Sequence, residues 1–137
     1  MQTYIGVVRV QAEPEERDGV PGYRVRHEDG RGYDTWLPAD VFEWTYFPLC
    51  KENALTQEDV DRFFSAGIAQ ACTLGDKTAC VTYTAPTGVV LCDFSSHVYP
   101  ECFDPVMGEM VCRDKIKLKL IELLGFVHCW AANGLRK

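Results

Sequence analysis

Polar and apolar residues alternate through Tyr23-Arg24-Val25-Arg26-His27, a strand pattern that puts Tyr23, Val25 and His27 on one face and Arg24 and Arg26 on the other. Upstream, Tyr4 to Val10 alternates loosely but is rich in strand formers, and the Pro- and Gly-containing stretch from Glu13 to Gly22 ends it. Glu28-Asp29-Gly30 is a hairpin turn signal, so the chain is expected to return as a third strand over 32–36. Pro38 suits the first turn of a short helix from Ala39 to Trp44, which Pro48 stops. So little structure encloses little core, so Trp36, Val41, Phe42, Trp44 and Phe47 are expected to need cover from elsewhere.

After a hinge over 48–54 the period changes from two to 3.6. Thr56 with Asp59 has the form of a capping box, and Val60, Phe63, Phe64 and Ile68 follow at helical spacing, predicting a helix over 57–70. Strand patterns over 78–83 and 89–94 flank Ala85-Pro86-Thr87-Gly88, a type I turn sequence, and so predict a β-hairpin. Asp104-Pro105 announces a long helix ending at Gly125, with an apolar surface too wide for one face. The tail 126–130 reads as a short strand or extended segment. These elements predict an α+β chain of two modules: an SH3-like three-stranded sheet with a short helix over 1–49, then a helix, hairpin and long helix over 50–137.

At 137 residues, with 47% hydrophobic and 25% charged positions, the chain has ordinary globular usage and is expected to fold throughout. Its longest apolar runs are far short of a membrane span, and its first residues lack the basic and apolar regions of a signal peptide, so a cytoplasmic protein is expected. Seven cysteines form an odd set without a Cys-x-x-Cys pair and read as buried free thiols. The net charge of −6 argues against nucleic acid as a partner, because phosphate-backbone binding needs clustered cations. Small anionic ligands remain open, since one or two placed arginines suffice.

No phosphate-binding loop, dinucleotide fingerprint, nucleophile elbow or His-Glu-x-x-His motif is present, so no catalytic residues, metal ligands or cofactor are assigned. Two stretches carry binding chemistry. Arg24, Arg26 and Arg31 beside Tyr23, Tyr33 and Trp36 suit a phosphate clamp with a stacking platform; the same residues also fit a solvated ribbon with its aromatics in the core. Ser95, Ser96 and His97, after Asp93, offer groups that orient a polar ligand, or else satisfy their own loop backbone.

Tyr4-Ile5-Gly6, Ala12-Glu13-Pro14, Gly22-Tyr23-x-Val25, Asp29-Gly30, Trp36-x-Pro38 and Val41-Phe42-Glu43 together resemble a short N-terminal module of tailed-phage proteins. That module is also joined to the second Thoeris anti-defence family, whose members sequester a nucleotide immune signal as oligomers. From Leu55-Thr56 through Gly88-Val89-Val90 and Phe103-Asp104-x-x-x-Gly108 to Gly125-Phe126, the chain resembles the phage family named after gene forty-nine of phage N4 and gene sixty-six of phage Sf6. No catalytic motif travels with that family, and its final helix tends to alanine and glutamate where this one is lysine-rich. The resemblance implies a phage-encoded, homo-oligomeric binding protein that holds a host nucleotide signal in the infected cell. The alternatives are a module that docks on a host or phage protein and, as a third class, an enzyme that cleaves such a signal.

Overall fold

The computed structural model describes residues 1–28 and 33–136 of an α+β chain that divides into two compact units, 1–49 with 126–137, and 50–125.

In the first unit, strands β1 (Val10–Pro14), β2 (Gly22–His27) and β3 (Asp34–Pro38) form an antiparallel sheet in that order, followed by helix α1 (Ala39–Thr45). The first strand lies later than its sequence pattern predicts. Asp18 and Gly19 both adopt positive φ, 51° and 78°, as a tight hairpin turn with the right-handed twist requires. The Arg17–Val20 bridge closes that turn, so the residues that meet β2 are those just before it, Val10 to Pro14, rather than Tyr4 to Val8. The expected turn at Asp29-Gly30 lies outside the described residues.

Alternation along β2 is realised: Val25 is fully buried on one face, and Tyr23 beside it stacks on Phe42 of α1 with ring centroids 4.1 Å apart. Tyr46 extends the stack, 4.9 Å from Phe42. Trp44 by contrast is 89% exposed, so α1 packs one aromatic against the sheet and offers another to solvent.

The second unit opens with helix α2 (Gln57–Ala66), whose capping box is complete. Thr56 Oγ1 accepts from the Asp59 N–H, and Asp59 Oδ2 accepts from the Thr56 N–H at 2.9 Å. Helix α2 stops four residues before the predicted end. Gly67 lies so close to the Tyr83 ring and the Thr84 carbonyl that no side chain fits there, and the chain continues as a strand. That strand, β4 (Ile68–Leu74), pairs with β5 (Thr78–Thr84), which pairs with β6 (Val90–Ser96), so the expected hairpin is the larger part of a three-stranded antiparallel sheet. The turn at Ala85–Gly88 closes as predicted, with the Gly88 N–H donating to the Ala85 carbonyl at 2.8 Å.

Helix α3 (Pro105–Asn133) spans roughly 43 Å at 1.5 Å per residue. It passes straight through Gly125, and the segment 126–130, expected to be extended, is helical. A lone glycine costs a helix only ~1 kcal/mol. The real stop is Gly134, at φ 66°, whose N–H returns to the Trp130 carbonyl.

Val60 and Phe64 of α2, Val81 and Tyr83 of β5, and Cys112, Ile116 and Leu120 of α3 form the core of this unit. Gly108 lets α3 lie against the Ala79 side chain, a contact that any Cβ would push apart. Among the described residues no helix is long and apolar enough to cross a membrane.

Candidate functional site

Antiparallel pairing brings Glu13, Arg24 and Trp36, and likewise Gln11, Arg26 and Asp34, side by side on one face of the first sheet. All but Trp36 line a shallow hollow of about 250 Å³, walled by Gln11, Glu13, Arg24, Arg26 and Asp34. Two of the three predicted arginines, Arg24 and Arg26, are therefore present, and both are already matched. Arg24 hydrogen-bonds Glu13 and lies 3.8 Å from Asp34, while Arg26 Nε donates to Asp34 Oδ1 at 3.3 Å. With two guanidiniums and two carboxylates the hollow has no net charge, and an entering phosphate competes with carboxylates for the same donors.

Trp36 is also engaged. Its indole Nε1 donates to the Glu15 carbonyl at 2.8 Å, and the Arg17 guanidinium sits 5.6 Å from the ring centroid, where a stacked base would have to go. Tyr33 is half-exposed at the start of β3, and Arg31 lies outside the described residues.

The other predicted group belongs to the second unit and is split by strand alternation. Ser95 faces the core side of β6, whereas Ser96 faces the open side and bonds Thr78 through their hydroxyls at 3.0 Å. His97 turns inward on its own loop: its N–H donates to the Lys77 carbonyl, and its Nδ1 accepts from the Tyr99 N–H at 3.2 Å. The loop-satisfying alternative describes His97, whereas Ser96 bonds a side chain on the neighbouring strand.

A surface without a sequence signal lies on the far side of the second sheet from its core. Register places the even-numbered residues of β4, β5 and β6 together there, and none of them is charged. Ile68, Val90 and Phe94 stand half or more exposed, and Leu74 a little less, at its margins, while Cys72, Cys80 and Cys92 meet at its centre. Cys80 and Cys92 have their sulfurs 3.4 Å apart. The Cys80 thiol is pushed up to about 11 by its hydrogen bond with Cys92, by burial and by neighbouring Cys72. The uniformly buried cysteines expected from composition are not found: Cys80 and Cys112 are buried, whereas Cys50, Cys72, Cys102 and Cys129 are exposed.

Two lysines of α3 hold the β6 edge of this sheet. Lys115 Nζ and Lys119 Nζ each donate to a strand carbonyl, of Phe94 and Cys92, at 2.8 Å, and Lys119 also pairs with Asp93 at 3.0 Å. The Lys119 hydrogen bond, with the Phe94 N–H, holds the Asp93 carboxyl below its ordinary range. Among the described residues no three His, Cys, Asp or Glu side chains are arranged to hold a metal ion.

The fold and these two surfaces define the class, an α+β chain of two small units. Comparison with family models, curated proteins and solved structures returned no match for this chain.

Proposed function

We propose that this chain is a non-catalytic binding protein that docks on a protein partner through the open face of the β4–β5–β6 sheet. The observation that carries this reading is the absence of any charge on that face in a chain of net charge −6. Exposed apolar side chains gathered on one face are characteristic of interaction surfaces, which have an apolar centre and a polar rim. The partner this chemistry fits is an apolar patch in basic surroundings, because the net negative charge speeds the approach of a basic face. By the resemblance, that partner is a host or phage protein in an infected bacterium.

Tagged wild-type protein, crosslinked in infected cells, is expected to retain one stoichiometric protein; Phe94→Glu, which puts a carboxylate on the face, is expected to lose it, and Arg24→Ala to keep it. Retention by Phe94→Glu, or no partner at all, overturns the reading.

A second reading is favoured by the pair of guanidiniums over the hollow on the first sheet: an oligomeric sponge that sequesters a nucleotide-derived immune signal. In it, Arg24 and Arg26 exchange their carboxylates for phosphates, Arg31 is a further phosphate ligand and Tyr33 supplies the stacking ring, which needs tight binding and no transition-state chemistry. A rise in melting temperature with cyclic nucleotides or ADP-ribose-type compounds, and release of intact ligand on heating, supports it. No shift with any of them ends it, and recovery of altered ligand points instead to cleavage.

A further inference from the structure

Cys72 on β4 and Cys80 on β5 are direct cross-strand partners, and Cys80 touches Cys92 on β6, so a solvent-facing thiol, a buried thiol and a half-buried thiol form a continuous row across three strands. Directly opposed residues of an antiparallel pair have Cα atoms about 4.5 to 5.5 Å apart, inside the ~4.4–6.8 Å that a disulfide spans. The 3.4 Å between the Cys80 and Cys92 sulfurs is contact distance, short enough for exchange after a small side-chain rotation. Among the described residues no arrangement for a metal ion accompanies the row. None of this depends on which partner the face binds.

We propose that Cys72, Cys80 and Cys92 form a thiol relay, a modification site that takes a low-molecular-weight disulfide such as oxidised glutathione and stores its oxidation as a cross-strand disulfide. The Cys72 thiolate attacks one sulfur of the disulfide RSSR, forming a mixed disulfide and releasing RS⁻, which takes up a proton. Cys80, losing its proton as it attacks, then bonds the Cys72 sulfur, forming the Cys72–Cys80 disulfide and releasing the second RS⁻. Two protein thiols have lost two electrons and two protons, and one RSSR has become two RSH. Attack by the Cys92 thiolate on Cys80 moves the bond to Cys80–Cys92 and frees Cys72, with no further change in redox state. The entry thiol is the exposed one, and the final disulfide lies deeper in the sheet, which slows its reduction by access. Disulfides of this kind in reducing compartments are transient and redox-sensing rather than structural.

The test uses the full chain, reduced and freed of reductant, incubated with oxidised glutathione, quenched in acid, alkylated and digested with trypsin. Cleavage after Arg62, Lys77 and Arg113 places Cys72 in 63–77 and Cys80 and Cys92, together with Cys102 and Cys112, in 78–113, where fragmentation assigns the linked cysteine. Expected first is glutathione on Cys72, then its loss as 63–77 becomes linked to 78–113 or as Cys80 and Cys92 become linked to each other. Cys72→Ser is expected to slow oxidation of Cys80 and Cys92 on the order of tenfold, and Cys80→Ser to leave glutathione stably on Cys72. Should Cys80→Ser fail to fold by circular dichroism, Cys92→Ser serves instead, and there the Cys72–Cys80 link accumulates. Persistent glutathione on Cys72 in the wild type overturns the relay. So does equal oxidation of Cys80 and Cys92 in Cys72→Ser, or disulfide formation confined to Cys50, Cys102 and Cys129.

Discussion

Asp59 shows how much one buried carboxylate can organise. It is fully buried, and its two oxygens accept from the backbone N–H groups of Cys50 and Thr56, each at 2.9 Å. Burial pushes its carboxyl up, yet the hydrogen bonds from Thr56 and Cys50 outweigh burial and hold it at about 2. A carboxyl lower in the folded state than in the unfolded chain, where it titrates near ~3.9, stabilises the fold above that pH and stops doing so as pH falls towards 2. Urea midpoints are therefore expected to fall between about pH 4 and pH 2, and Asp59→Ala to remove this part of the fall. At neutral pH the same variant is expected to cost about 2 kcal/mol, since it leaves two backbone donors without an acceptor. The Thr56–Asp59 pair was legible as a cap from its spacing. The Cys50 contact was not, because it depends on how the hinge folds back over the helix. The arginines follow the same rule: residue type marked Arg24 and Arg26 as anion ligands, but register supplied Glu13 and Asp34 as the anions.

Among the elements, the step into α3 explains itself physically. Asp104 Oδ1 accepts from the Val106 N–H at 3.0 Å, Pro105 occupies the first helical position, and Gly108 gives the helix its close approach to Ala79. The Phe-Asp-x-x-x-Gly motif is thus accounted for by helix capping and packing. Gly108→Ala is expected to cost about 1–3 kcal/mol by overpacking, read as a lower midpoint with unchanged m-value. Ile116→Ala, at a fully buried core position, is expected to cost about 2–5 kcal/mol by leaving a cavity. Lys119→Met removes the partner of both Asp93 and the Cys92 carbonyl, and faster amide exchange along β6 is the expected readout. Sequence reading found α1, α2, β2, β3, β5, β6 and α3, which carry strong periods, caps or turn signals. It missed β4, whose Ala, Gln and Cys positions carry weak strand preference and become a strand only by pairing with β5.

For the whole molecule, charge distribution matters more than charge total. A net −6 chain that keeps one sheet face free of charge is expected to bind a basic partner with an on-rate that falls as salt rises, and with a much weaker salt dependence of the off-rate. Stopped-flow association between low and physiological ionic strength measures both. The α+β class, the cap of α2, the Ala85–Gly88 turn and the alternation of β2 were determined by the sequence itself, because each depends on residues within a few positions of one another. Only the tertiary structure decided that Arg24 and Arg26 are neutralised, that Ser95 rather than Ser96 faces the core, and that three cysteines distant in sequence form one row. Those outcomes depend on strand register, which long-range pairing selects and local preference does not encode.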